Sequence, residues 1–151
     1  MSQQASPPAP LLLSSDGLLW GRLAALNARV GHTMQKMLQR HSDIGFSEFT
    51  ALMALANAPL GELHMQELAE VTLLNQSSVS RLVVRLERTG LTERRHCLRD
   101  RRRVYTGITD VGRKVLEDAL PVYEAALKDA FRHITMDDDL GPLLAKLRPA
   151  S

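Results

Sequence analysis

The sequence predicts a mainly α-helical fold with one small β-hairpin, and three observations predict it. Apolar residues recur at helical spacing along most of the chain. Between Leu91 and Thr109 the texture changes to two short strand-like runs. Positive charge collects on that hairpin and on the helix before it.

Composition sets the frame. A chain of 151 residues fits one domain and buries a core without disulfides or metals. Hydrophobic residues make up 44% and charged residues 24%, the balance of a soluble globular protein. Aromatics are only 4%, so the core rests on Leu, Val, Ile, Met and Ala. The single cysteine, Cys97, excludes an internal disulfide and suits a reducing compartment. No segment approaches the ~18 apolar residues of a membrane span. The run Pro10 to Leu13 is too short for a signal-peptide core, and no basic residue precedes it. A cytoplasmic protein without membrane contact is expected.

The elements follow in order. Residues 1–15 read as a flexible tail, with Pro7, Pro8 and Pro10. Leu19, Leu23, Leu26, Val30, Met34 and Met37 form the stripe of a long helix from Asp16 or Gly17 to Arg40. After Gly45, Ser47 is the expected N-cap of a second helix, Glu48 to Ala56, with Phe46 as a staple before it. Pro59 and Gly61 close that helix. A short third helix, Met65 to Val71, leads through the turn Thr72 to Asn75 into a fourth, Gln76 to Thr89. Asn75 caps it and Gly90 stops it. Val79, Leu82, Val83 and Leu86 are its buried stripe.

Strands at Leu91 to Cys97 and Arg103 to Thr109 flank the charged turn Leu98 to Arg102. That turn lacks Asn-Gly, which predicts a longer, mobile loop. Helical spacing returns from Asp110 to His133, with Leu116, Leu120, Tyr123, Leu127 and Phe131 on one face. Pro121 is expected to kink this helix or interrupt its hydrogen bonds. Thr135 is the expected cap of a last helix, Asp137 to Leu147, with Asp138 at the capping-box position.

Charge is unevenly placed. The net charge is +2, yet Asn75 to Arg103 holds nine arginines against Glu87, Glu93 and Asp100, a net of +6. Concentrated charge of one sign is the footprint of a polyanion site, although a solvated basic surface produces the same count. Arginine's planar fork suits phosphate oxygens and guanine edges better than an ammonium does.

Helix, tight turn, helix and basic hairpin together make the plan of a winged helix-turn-helix. The helix from Gln76 has the size to lie in a major groove. On its outer face Gln76 suits an adenine edge, and Arg81 a guanine edge or a phosphate. Ser77, Ser78 and Ser80 can bond bases or phosphates, though Ser77 and Ser78 equally serve to start the helix. Asn75 and Arg85 complete this candidate DNA-binding set. The hairpin turn adds Arg99, Arg101, Arg102 and Arg103, which fit a narrow minor groove. Asp100 is assigned to hold a neighbouring arginine by a charge-assisted pair.

The run from Asp100 through Arg102 to Ile108-Thr109 resembles the D-x-R-(x)5-L-T wing signature of the MarR family, with Ile108 in place of Leu. Ser78-Val79-Ser80-Arg81-Leu82-Val83, Gly90-Leu91 and Glu67-Leu68-Ala69 resemble the same family, and the resemblance extends from about Leu18 to Leu147. It implies a homodimeric transcriptional regulator whose first and last helices form the dimer interface. It implies binding to inverted-repeat double-stranded DNA and release by a small-molecule effector, whose identity no residue marks. In that signature Asp100 and Arg102 are the wing pair. On this reading residues 16–46 and 110–151 form the dimerisation region, and 47–109 the DNA-binding domain. The long apolar stripes independently favour a partner, unless they simply pack on each other.

Other chemistry is weakly signalled. The five histidines show no metal-ligand spacing, so no metal or cofactor is expected. Cys97 beside His96 and several arginines has the surroundings of a redox-sensitive thiol, but a strand-end cysteine with no sensing role is favoured. No phosphate loop, catalytic triad or paired carboxylate is visible, so no enzyme is expected. A repressor released by a ligand is the leading reading. An activator, a ligand-independent regulator, and a winged-helix module docking an acidic protein are the alternatives.

Overall fold

The computed structural model describes residues 10–149 of the chain, so most of the expected N-terminal tail lies outside the described residues. The order is α1 (Ser15–His41), α2 (Phe46–Asn57), β1 (Glu62–His64), α3 (Met65–Thr72), α4 (Gln76–Arg88), β2 (Thr92–His96), β3 (Val104–Ile108), α5 (Asp110–Thr135) and α6 (Leu140–Leu147). This is the mainly α winged helix-turn-helix that the spacing predicts.

Helix α1 begins where the Ser14 hydroxyl accepts from the Gly17 N–H at 3.1 Å. It ends where Ser42 Oγ donates to the Leu38 carbonyl. Of its expected stripe only Met34 is deeply buried, and Leu38, outside that stripe, is buried beside it. Leu18, Leu19 and Trp20 stand exposed, Trp20 by 71%.

The start of α2 corrects the sequence reading. Gly45, not Ser47, is the N-cap, and Ser47 lies inside the first turn. Glu48 Oε2 accepts the Gly45 N–H at 2.8 Å, and Gln35 Oε1 accepts the N–H of Phe46 at 3.0 Å. A side chain on α1 therefore supplies the cap that Ser47 was expected to give. Phe46 is the first helical residue rather than a staple.

Strand β1 is a second difference. It pairs with β3 (Glu62 opposite Gly107, His64 opposite Tyr105), and β3 pairs with β2, giving a three-stranded antiparallel sheet ordered β1-β3-β2. Three residues are too few to show a period of two, so the sequence hides this strand.

Helix α5 runs unbroken from Asp110 to Thr135 with Pro121 inside it. Its buried face is Gly112, Leu116, Ala119, Ala126, Ala130 and Ile134; of the expected face Leu116 is buried, and Tyr123, Leu127 and Phe131 are half-buried. Small side chains let α1 lie close along it, while Leu120 turns outward, 39% exposed. Tyr123 stacks on Phe49 at 4.3 Å between ring centroids. Thr135 stays in α5, its hydroxyl donating to the Phe131 carbonyl. Helix α6 consequently starts later than expected, at Leu140. Asp137 gathers the N–H groups of Asp139 and Leu140, and the Arg29 guanidinium bonds the same carboxylate. Asp138 has no capping-box role.

The main core joins α2, α3, α4 and the sheet, through residues such as Phe49, Leu52, Leu68, Val79, Leu82 and Ile108, to Leu38 and Leu116. A second cluster, Ile134, Leu140 and Leu144, packs with Leu26, Val30 and Phe131 at the far end of α1 and α5.

Candidate nucleic-acid interface

The turn before α4 is tight because Leu73 takes a left-handed conformation, φ 56°. Its N–H bonds back to Glu70, and the N–H of Leu74 to Ala69, which closes the end of α3. Asn75 then caps α4. Its Oδ1 accepts the Ser78 N–H and the Ser77 hydroxyl, both at 2.9 Å. Asn75 and Ser77, both read as site residues, are thus tied into the helix start, and both are exposed.

Val79, Leu82, Val83 and Leu86 anchor α4 in the core as expected. Gln76, Ser80 and Arg81 are exposed, and Ser78 is half-buried. A shallow groove along the outer face is lined by Ser80, Arg81, Val84, Arg85 and Arg88. Val84 and Arg88 were not singled out from sequence. The signal was present, because Arg88 follows Arg81 by seven residues and Val84 follows Ser80 by four, both on one helical face.

Arg85 differs from its expected role. Its Nε donates to Glu48 Oε1 at 2.9 Å, so it reaches toward α2. Arg94 pairs with Glu87 at 3.1 Å, and Arg95 with Glu62 and Glu93. Three of the nine arginines are thereby engaged within the fold. Arg81, Arg88, Arg99, Arg101, Arg102 and Arg103 have no ion pair among the described residues.

The hairpin turn carries four of these six. It is closed by the Cys97 N–H on the Arg103 carbonyl and by the Arg103 N–H on the Asp100 carbonyl. Asp100 Oδ1 accepts the backbone N–H of Arg102 at 3.0 Å. The expected ion pair from Asp100 to a neighbouring guanidinium is not formed. The aspartate orients the turn through its backbone, as an Asx-type turn does. Arg99, Arg101, Arg102 and Arg103 are exposed, and Cys97 is half-exposed.

Chemically, α4 offers amide, hydroxyl and guanidinium groups on a rigid rod, and the hairpin offers guanidinium groups on a stiffened turn. Both are donors suited to phosphate oxygens and base-edge acceptors. A polar cleft lies behind α4, where α1 meets α2, with Gln35, Gln39, Asp43, Ser47, Glu48 and Arg85 on its walls. Among the described residues no three His, Cys, Asp or Glu side chains cluster to hold a metal. No described helix is long and apolar enough to cross a membrane.

A helix-turn-helix joined to an arginine-bearing antiparallel hairpin and framed by two long helices defines a winged helix-turn-helix protein. The pattern that describes the MarR family matches residues 42–103. The transcriptional regulator HosA of Escherichia coli O127:H6 is 22% identical over 122 residues, covering 76% of this chain and 89% of HosA. YkoM of Bacillus subtilis, an uncharacterised HTH-type transcriptional regulator, is 30% identical over 102 residues, 66% of this chain and 65% of YkoM. Sco3205 of Streptomyces coelicolor, a MarR family regulator solved in complex with DNA, superposes with a TM-score of 0.71 at 27% identity over 95% of each chain. In sequence and in fold the chain is similar to the MarR family of transcriptional regulators.

Proposed function

We propose that this protein is a homodimeric repressor that holds an inverted-repeat operator and releases it on binding a small molecule. The observation that carries the reading is the placement of the unpaired arginines. Arg81 and Arg88 lie on the outer face of α4, and Arg99, Arg101, Arg102 and Arg103 on the hairpin, while the other three of the cluster pair within the fold. Gln76, Ser80 and Arg81 then read the major groove, and the wing arginines enter the adjoining minor groove. Asn75, Ser77 and Ser78 set the start of the reading helix.

The exposed Leu18, Leu19 and Trp20 on α1 and Leu147 at the end of α6 supply the apolar surface of the dimer. Residues 16–46 and 110–151 form that dimerisation region, and 47–109 the DNA-binding part. The polar cleft at Gln35, Glu48 and Arg85 lies where the two parts meet, so its occupant would bear on both. That Sco3205 was solved with DNA supports the nucleic-acid reading over docking of an acidic protein.

A gel shift of the purified protein on the DNA upstream of its own gene tests the proposal. Retarded duplex of palindromic sequence, and a reporter that rises when the protein is deleted, are expected. Absence of any shift at low salt overturns the DNA reading, and a reporter that falls on deletion makes the protein an activator.

A further inference from the structure

We infer that Arg95 is a positioning residue that sets the base of the wing, acting through β3, and is not itself a contact to DNA. The inference rests on the reading of the wing as a DNA-contacting element. Glu62, Gly107 and Glu93 lie opposite one another across β1, β3 and β2, one row of the sheet. The middle strand has no side chain in that row, and Arg95 fills the space. A Cβ on Gly107 would sit 2.5 Å from Arg95 Cζ and 2.8 Å from its Cδ, so the Arg95 side chain covers the β3 backbone at Gly107.

From there the fork reaches both outer strands. Its Nε donates to Glu93 Oε1 at 3.0 Å, and one terminal nitrogen reaches Glu62 Oε2 at 3.4 Å and the Leu60 carbonyl at 3.3 Å. The other donates to the Ile108 carbonyl at 3.0 Å. One side chain thus ties the loop before β1, the end of β3 and its own strand together. A lysine has neither the planar shape nor enough directed donors for this. The Arg95 side chain is only 33% exposed, unlike the neighbouring wing arginines. Strands β2 and β3 run directly from this staple to the turn at Arg99 to Arg103, so the staple sets the direction in which the wing projects.

The test uses the full-length protein and a duplex selected from random-sequence DNA by the wild type. Arg95→Met removes the staple. Gly107→Ala keeps the arginine's charge but excludes it from the strand face. Glu62→Gln loosens one anchor without altering either. Each is expected to stay folded by circular dichroism and to weaken binding, Arg95→Met and Gly107→Ala by about tenfold. In an Arg102→Ala background the further loss is expected to shrink below tenfold, because the Arg102 contact that the staple aims is already gone. If Arg95 were a phosphate contact, Gly107→Ala would free it and leave binding unchanged or tighter. Losses that multiply fully with Arg102→Ala, or wild-type binding by Arg95→Met, overturn the inference. Should Gly107→Ala fail to fold, Glu62→Gln and the Arg95→Met double mutant decide it alone. Wild-type binding by Arg102→Ala itself would instead remove the wing reading, which keeps the two failures apart.

Discussion

Glu48 serves two partners at once. One carboxylate oxygen accepts the Gly45 N–H that begins α2, and the other accepts Arg85 Nε from α4 at 2.9 Å. A residue at the start of one helix therefore restrains a cation on α4. Arg85 is 56% exposed, so the pair contributes about 1 kcal/mol or less to stability.

Glu48→Gln follows from this. The amide oxygen still accepts from Gly45, but Arg85 is released and a negative charge is removed. Operator binding is expected to tighten by roughly threefold or more, with a salt dependence steeper by ~0.9 if Arg85 finds a phosphate. Titrations at several salt concentrations check it, and an unchanged slope shows that Arg85 stays off the DNA.

Asn75→Asp separates capping from recognition. Aspartate caps a helix as well as asparagine does, so thermal stability should hold, whereas Asn75→Ala should lose about 1 kcal/mol. The aspartate also sets a negative charge at the reading face, and DNA affinity should fall by about tenfold or more. Unaltered affinity in the aspartate variant would place Asn75 away from the phosphates.

At the wing, Asp100 holds the Arg102 N–H by an oxygen rather than a neighbouring guanidinium by its charge. Asp100→Asn retains such an oxygen and is expected to bind DNA close to wild type. Asp100→Ala is expected to lose about tenfold. Equal losses in the two variants would mean that the charge itself matters.

Asp137 predicts an acid limb of stability. Its carboxyl is held down to about 2, first by the Leu140 N–H, then by the Arg29 guanidinium and the Asp139 N–H. A depressed folded value stabilises the fold above the ordinary value of 3.8, and this is lost as pH falls through about 2. Wild type should therefore melt above Asp137→Asn near neutral pH, and the gap should close between about pH 4 and pH 2. Melting curves across that range test it, and a gap independent of pH would exclude the ionised carboxylate as the cause.

Helices and the exposed outer face of α4 were legible where periodicity was long. The α4 stripe from Val79 to Leu86 and the Asn75 cap needed only spacing and a short polar side chain. What escaped the sequence depended on distant partners. Gln35 on α1 caps α2, β1 pairs with the open edge of β3, and Asp137, which accepts the Leu140 N–H at the start of α6, is held by Arg29 on α1. The arginine cluster was visible as charge, but its division into engaged and free members depends on Glu48, Glu62, Glu87 and Glu93. Leu116 was placed correctly on α5, but the buried Ala119, Ala126 and Ala130 were missed because close helix packing favours alanine, which a hydrophobicity pattern ranks below leucine.

Thr109 leaves almost no slack between the sheet and α5. Its hydroxyl donates to the Gly90 carbonyl at 2.6 Å and accepts the Gly112 N–H at 3.0 Å, and its own N–H bonds Leu91. Any Cβ at Gly112 would run into the Leu91 carbonyl oxygen, so the joint is seated hard against the corner between α4 and β2. The wing is thereby mounted on the end of a stiff arm of 26 residues. At helical rise that arm is about 39 Å long, and swinging it by about 5° about its far end carries the hairpin base roughly 3 Å. A minor groove is ~6 Å wide, so such a swing misaligns the wing by about half a groove while every hydrogen bond at the joint stays made.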